Sequence, residues 1–283
     1  MLAIIGGTGV YAIEQMNDLE EIRIDTPYGP PSAPLVKGVL AGRELLFLAR
    51  HGQHHQYLPH EVNYRANIWA LKRAGATQVV GISAVGSLRQ EIAPGDLSLP
   101  SQYFDFVKGA REKTFFGHGL AGHVSTAEPT CGCLGDAVAK AAASLDIAVH
   151  RDKTYGCVDG PRLGTRAESF FLRDAAGCDL VGMTNVPEVF LAREAQLCYC
   201  TLTIATDYDC WMDDPAQHVT VEQVIARYGA SLEKARRVIV RLAEQGTLPN
   251  ATCGCRKSLA SAILTPPERL SSEQHSLLEL LQR

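Results

Sequence analysis

Short, continuously apolar stretches alternate along the chain with longer segments whose apolar residues recur every three or four positions. The short ones, at residues 3–5, 44–49, 78–83, 153–158, 180–183 and 197–206, are bounded by Gly, Pro or polar residues and predict strands buried on both faces. Helical periodicity predicts helices over 63–74, 134–145, 166–175 and 186–194. The last long helix has the clearest stripe. Thr220 and Gln223 form a capping box, and Val221, Val224, Ile225, Tyr228, Leu232, Ala235, Val238, Ile239 and Leu242 follow one face. Strands without internal alternation, interleaved with helices, predict an α/β fold: one domain over 1–283 with a mixed, mostly buried central sheet flanked by helices. From Gly246 onward the chain turns polar and carries Pro266-Pro267, which reads as a C-terminal extension, 246–283, rather than a second domain.

Composition narrows the classes. Acidic residues outnumber basic ones by 31 to 27 in 283 residues, a formal net charge of −4, so no positive excess calls for nucleic acid or an anionic membrane as partner. Hydrophobic residues at 46% and charged residues at 20% exclude disordered and fibrous classes. No apolar run reaches the roughly 18–20 residues of a membrane span, and the MLAIIGGTGVY start has no basic leader, so it reads as a buried first strand of a cytoplasmic protein. Nine cysteines include three C-x-C pairs, Cys131/Cys133, Cys198/Cys200 and Cys253/Cys255. That spacing is not the one a zinc site takes, and no metal is expected. Cys198 and Cys200 sit in LCYCTLTIA as small hydrophobes on one strand face. Cys253 and Cys255 lie in a polar, exposed-looking NATCGCRKS, where a redox staple is conceivable.

Five segments carry candidate chemistry. Ile4–Val10 runs a strand into Gly6-Gly7-Thr8-Gly9, whose amides and Thr8 hydroxyl can cradle a phosphate ahead of a helix. Gly7, Gly9 and Ala12 also fit the dinucleotide fingerprint G-x-G-x-x-A, with Asp25 downstream; a plain corner is the third option. Arg50 to His60 holds four histidines in ten residues (His51, His54, His55 and His60), but Gly52 and Pro59 make the segment a loop, so Arg50-His51 suits an oxyanion better than a metal, against a solvated loop. Gly81–Leu88 ends a strand in Ser83, Gly86 and Ser87, and Val181–Glu188 places Thr184 at a strand end before Pro187; each alone is an ordinary helix cap. Together these four segments favour one shared phosphate site at strand ends. In Thr206–Trp211, Asp207 and Asp209 flank Tyr208 near Trp211: either a carboxyl desolvated by aromatics that holds a proton for general-acid work, or a solvated turn.

Across nearly the whole chain, through IIGGTG, ARHG, NYRANIWALK, GPR with TRAES, MTNVPEVFLAREA and ATDYDCW, the sequence resembles the trimeric purine nucleoside phosphorylase family, and within it the branch acting on 5′-deoxy-5′-methylthioadenosine. ATDYDCW points to a 6-aminopurine, because members preferring 6-oxopurines have Asn in place of its first Asp. The cysteine-bearing tail is similar to that of some archaeal members. The resemblance implies phosphorolysis to adenine and 5-methylthioribose 1-phosphate, in purine and methionine salvage, with phosphate as co-substrate and no metal or organic cofactor. It implies that Thr8, Arg50, His51 and Thr184 bind phosphate, with Ser83 and Ala84 beside phosphate and sugar. The Met183 backbone would meet the ribose hydroxyls, Asp207 would serve purine N7 as the catalytic group, and Asp209 would accept from the 6-amino group. His123 in GHVSTAEP would reach the 5′-methylthio pocket of a neighbouring subunit, with Val221 lining it, so a homotrimer or a dimer of trimers is expected. Leu163-Gly164 stands where relatives often have Phe-Ser against the base, which weakens base contact. A phosphorylase for methylthioinosine or general purine nucleosides would share the phosphate site and differ at the base. A nicotinamide-dependent dehydrogenase would use the Gly7–Ala12 fingerprint and leave Arg50-His51 unexplained. A non-enzymatic binding protein would hold the nucleoside without consuming phosphate.

Overall fold

Strand β1 (Leu2–Gly6) sends Ala3 and Ile5 into one apolar core and Leu2 and Ile4 into another, because successive strand side chains point to opposite faces. This computed structural model describes residues 1–7, 9, 13, 15–212, 221–246 and 253–283, without the side chains of 221–228 and 230. The remaining strands are β2 (Asn17–Ile22), β3 (Leu35–Leu40), β4 (Arg43–Ala49), β5 (Gln78–Ser87), β6 (Leu97–Asp105), β7 (Val149–Cys157), β8 (Leu180–Gly182) and β9 (Cys198–Tyr208). They form one mixed sheet in the order β2-β3-β4-β1-β5-β8-β7-β6-β9, and β9 also pairs with β5, which closes the last five strands into a ring. β4 repeats the division seen in β1, with Leu46 and Leu48 on one side and Leu45 and Phe47 on the other.

Helices cover both faces. Ile68 and Leu71 of α1 (Tyr64–Arg73) share the first core with Val189 and Leu191 of α4 (Asn185–Glu194). Leu134 and Val138 of α2 (Gly132–Ala143) share the second with Leu232, Val238 and Ile239 of α5 (Val221–Gln245). The predicted 166–175 helix is α3 (Arg166–Phe170), begun by a Thr165/Glu168 capping box, followed by a π-helical turn over Phe171–Ala175. The predicted Thr220 cap lies outside the described residues.

Three strands carry no sequence signal. β2 reads NDLEEI and is exposed along almost its whole length at the sheet edge, where charge discourages further pairing. β3 is interrupted by Lys37 and Gly38, and β6 contains Pro100, which sits at a register shift against β7. The C-terminal segment is more than a polar tail. α6 (Ser272–Gln282), capped by Ser271 and Gln274, delivers Leu281 to the first core together with Leu259 and Ala262, while Cys255 enters the second. The exposed reading of Cys255 is thereby corrected, because polar flanks do not report what a folded-back segment covers. Among the described residues no helix is long and apolar enough to cross a membrane.

Ile68 is fully buried on α1, so Ile68→Ala should lower unfolding free energy by about 2–5 kcal/mol. Leu19→Ala, at an edge position 62% exposed, should change it by no more than about 0.5 kcal/mol. Urea denaturation of both variants checks the assignment of inside and outside.

Candidate active site

β1, β4, β5 and β9 are linked by parallel pairings, so their carboxyl ends emerge on one side of the sheet, where open α/β sheets bind ligands. The glycine segment follows β1, Arg50-His51 follows β4, Ser83–Gly86 belongs to β5, and Asp207 lies at the end of β9 with Asp209 just past it. The Arg50 amide donates to Gly6 O at 2.8 Å and ties the first two segments together. β8 runs antiparallel to β5, which returns Thr184 beside Ser83.

Arg50 is 1% exposed, and its guanidinium is closed on an internal partner. Nε and Nη2 donate to the two Glu188 carboxylate oxygens at 2.7 Å each, Nη1 donates to Ile82 O at 2.8 Å, and Nη2 to Ile5 O at 3.4 Å. Burial opposes the Arg50 charge, but the Glu188 carboxylate outweighs it and holds the guanidinium above its ordinary pKa. Four of the five donors of this fork are engaged within the protein. Tyr199 Oη donates to Glu188 Oε1 at 2.8 Å, and Asn185 Nδ2 donates to Tyr199 Oη at 2.9 Å. Gly81 leaves the space for this network, since a Cβ there would lie 2.5 Å from Tyr199 Oη.

His51 is the group of this pair that can face a ligand. Its Nδ1 lies 2.8 Å from Tyr57 O, a carbonyl that only accepts, so the neutral ring carries its proton on Nδ1 and presents Nε2 as an acceptor. Burial and the Arg50 charge depress its pKa to about 4. A phosphate at this ring would donate its own P–OH to Nε2.

Ser83 and Thr184, both buried, bring their hydroxyls within 3.2 Å of each other. The Tyr155 hydroxyl is buried beside them, and burial holds its pKa above the ordinary value against the opposing Ser83 hydroxyl and Thr184 backbone. α4 is broken at Val186 (φ −109°, ψ 123°), so Thr184 makes no side-chain cap and its hydroxyl is left for Ser83 or a ligand. The Ala84 backbone continues β5 beside them, with its side chain exposed. Arg111, from a loop without a recognisable motif, donates to Met183 O at 2.8 Å, Val186 O at 2.7 Å and Asp159 O at 2.7 Å. It fixes the turn after β8 and engages the Met183 carbonyl, leaving the amide as the other main-chain group there.

The carboxylates are placed by a bulge. β5 and β9 pair in register from Gln78 with Cys198 to Val85 with Ala205, then shift so that Gly86 faces Asp207. A Cβ on Gly86 would lie 3.2 Å from both Asp207 Oδ1 and Asp209 Cβ, so this glycine makes room for the two acids. Thr206 Oγ1 donates to Asp207 Oδ2 at 2.7 Å. Burial pushes the Asp209 carboxyl above its ordinary value, with Ser169 and the Cys210 amide opposing. Trp211 Nε1 donates to Ser87 O at 2.7 Å and Tyr208 Oη to Gln90 O at 3.0 Å, which pins the segment to the end of β5. The segment is a half-buried turn tied to β5 by these bonds.

The other sequence-derived residues divide. Gly164 O accepts a 3.5 Å contact from Cys210 Sγ, so its loop adjoins the carboxylate segment, while Leu163 is 62% exposed. His123 is exposed on a segment paired to the C-terminal residues by a 2.8 Å bond from its amide to Ala262 O, and among the described residues no hydrogen bond joins its ring to the site of its own chain. Thr8 and the Val221 side chain lie outside the described residues. β1 has β4 and β5 as its sheet neighbours, and β2 lies three places away at the sheet edge, so β1 and the strand that follows it are not the adjacent parallel pair of a dinucleotide-binding unit and the dehydrogenase reading is withdrawn. Glu188, Tyr199, Tyr155 and Arg111 were given no role from sequence. Only Glu188 had a signal, as a lone charge inside the apolar VPEVFLA.

Comparison with known proteins agrees with this frame. Residues 1–244 match the phosphorylase superfamily. The chain is 41% identical over 281 residues to the S-methyl-5′-thioadenosine phosphorylase of Geobacter sulfurreducens, covering 99% of this chain and 97% of that one. It superposes on a crystal structure of a methylthioadenosine phosphorylase from an antarctic soil metagenomic library with TM-score 0.92 at 40% identity, over 99% of this chain and 98% of that one. A Ser-to-Thr variant of the adenosine/methylthioadenosine phosphorylase from Schistosoma mansoni, solved in complex with methylthioadenosine, aligns with TM-score 0.84 at 34% identity, over 92% of this chain and 96% of that one.

The ion pair gives a thermodynamic test. Glu188→Ala leaves Arg50 buried without a counter-charge and should destabilise by about 3–5 kcal/mol, whereas Arg50→Met combined with Glu188→Leu should recover most of that loss. Denaturant midpoints of the single and double variants decide it; an unshifted Glu188→Ala midpoint would contradict the pair's structural role.

Proposed function

Because the chain belongs to the phosphorylase superfamily, we infer that it cleaves 5′-deoxy-5′-methylthioadenosine with inorganic phosphate, giving adenine and 5-methylthioribose 1-phosphate. The observation that carries this reading is the hydroxyl pair of Ser83 and Thr184 at the same sheet end as the Asp207/Asp209 carboxylates. One end of a nucleoside needs an anion site and the other needs acid and acceptor groups.

In the reaction the C1′–N9 bond breaks, a bond forms between C1′ and a phosphate oxygen, and a proton ends on the purine. The sugar becomes oxocarbenium-like while negative charge grows on the base, as in other glycosidic cleavages. Phosphate is held by Ser83, Thr184, the Ala84 main chain and the glycine segment with Thr8, and its own P–OH donates a hydrogen bond to His51 Nε2. Arg50 acts mainly by orienting the segment that ends in His51. The Met183 amide region meets the ribose hydroxyls. Asp207 offsets the charge developing at N7, and Asp209 accepts from the 6-amino group, with the Gly164 loop alongside. The phosphate supplies the nucleophile, so this chemistry calls for no metal or organic cofactor.

Asp207→Ala should lower kcat by about 10²–10⁴ on methylthioadenosine and methylthioinosine alike if Asp207 is the general acid. Asp209→Asn offers a donor to a 6-oxo group and should narrow the preference between the two by about 1–3 kcal/mol. Purine release from both nucleosides, adenosine and inosine, each with and without phosphate, tests the scheme. Release of free methylthioribose at an equal rate without phosphate would mean hydrolysis and overturn it.

The finer assignments are proposals of the same standing: a cytoplasmic salvage enzyme in which 246–283 extends one catalytic domain, assembled as a homotrimer or a dimer of trimers. The exposed His123 supports assembly, since it has no task in its own chain's site and would close a neighbour's methylthio pocket lined by Val221. Light scattering should give about three times the chain mass or a multiple of it, and a fully active monomer would refute the shared pocket.

A further inference from the structure

Four cysteine sulfurs meet where three distant segments converge. Cys131 is the N-cap residue of α2, Cys198 opens β9, and Cys253 and Cys255 come from the C-terminal segment, Cys253 immediately before a 3₁₀ turn over Gly254–Lys257. All four Sγ atoms lie within 4.8 Å of one another, with Cys253 at 3.3 Å from Cys198 and 3.6 Å from Cys131. All are free thiols. A tetrahedron of sulfurs each about 2.3 Å from a zinc ion has edges of about 3.8 Å, the scale found here.

The surroundings suit a centre with excess negative charge, as four thiolates on a divalent ion would be. Arg193 Nη1 lies 3.4 Å from Cys255 Sγ and can donate to it. Cys131 stands at the N-terminus of a helix of 12 residues, where the backbone dipole favours an anion, and its side chain caps no amide of that helix. Cys131, Cys198 and Cys255 are buried and Cys253 is half-buried, so the ion would be closed off from solvent and substrate alike. Soft sulfur ligands select zinc over oxygen-seeking magnesium or calcium.

We propose that Cys131, Cys198, Cys253 and Cys255 bind one zinc ion as a closed, structural site. On binding, four S–H protons leave for solvent as four Zn–S bonds form, and nothing is oxidised or reduced. The ion clamps the C-terminal segment to the start of β9, the strand whose other end carries Asp207 and Asp209. The spacing argument against a metal is answered by the fold: the ligands come from three segments, so no paired motif within one segment is needed.

The test uses the full-length protein purified under reducing conditions. Elemental analysis should find one zinc per chain. Removal by a chelator followed by cobalt(II) should give the charge-transfer and visible bands of tetrahedral thiolate coordination. Cys253→Ser combined with Cys255→Ser should lose the zinc, and Cys133→Ser should keep it. A protein that retains no zinc after incubation with it and gel filtration overturns the proposal. So does one whose four cysteines show the mass deficit of disulfides.

Discussion

The buried pair of Arg50 and Glu188 is the interaction on which the site depends. It spans 138 residues of sequence and joins the end of β4 to the first turns of α4. Neither charge can remain there alone, because an uncompensated ion in a water-free interior costs several kcal/mol. Their mutual satisfaction fixes two loops at once: the one that continues into His51 and the one that starts at Thr184. Tyr199 and Asn185 extend the network to β9 and α4, so three of the elements bearing site residues share one hydrogen-bonded core.

Around that pair the sheet divides the work. Parallel pairing of β1, β4, β5 and β9 brings their ends to one side, and antiparallel β8 folds Thr184 back onto Ser83. The bulge between Val85 and Gly86 then shifts β9 by one residue. In a strand such a shift exchanges the faces of the residues that follow, so the bulge decides where Asp207 and Asp209 are presented. The Thr206 hydroxyl donates to Asp207 while burial raises the Asp209 carboxyl, so the two acids have different surroundings within three residues. That difference is what separate roles for the two groups require.

At the opposite end of β9 the cysteine cluster and the apolar residues of the C-terminal segment meet the same strand. Leu259, Ala262 and Leu281 complete one core and Cys255 the other. Residues 253–283 are thus part of the packing of the catalytic unit, although their composition resembles that of a tail.

The sequence by itself determined the elements whose signal is local. Buried strands such as β1, β4 and β9 announce themselves by unbroken apolar runs, and α1, α4 and α5 by their periodicity, because burial on one or both faces is written in side-chain type. The motifs at strand ends were legible for the same reason: Arg50-His51, Ser83, Thr184 and the Asp207–Trp211 segment are polar groups placed where an apolar run stops. Edge strand β2 and Pro-interrupted β6 were not legible, since their pairing is decided by neighbours they meet only after folding. The tertiary structure alone decided that the Arg50 fork turns inward to Glu188, that His51 is held neutral with Nε2 as acceptor, and that burial raises the Asp209 carboxyl. It alone gathered four sulfurs from three C-x-C pairs. These are statements about distance and desolvation between residues far apart in the chain, and such quantities exist only once the chain has closed on itself.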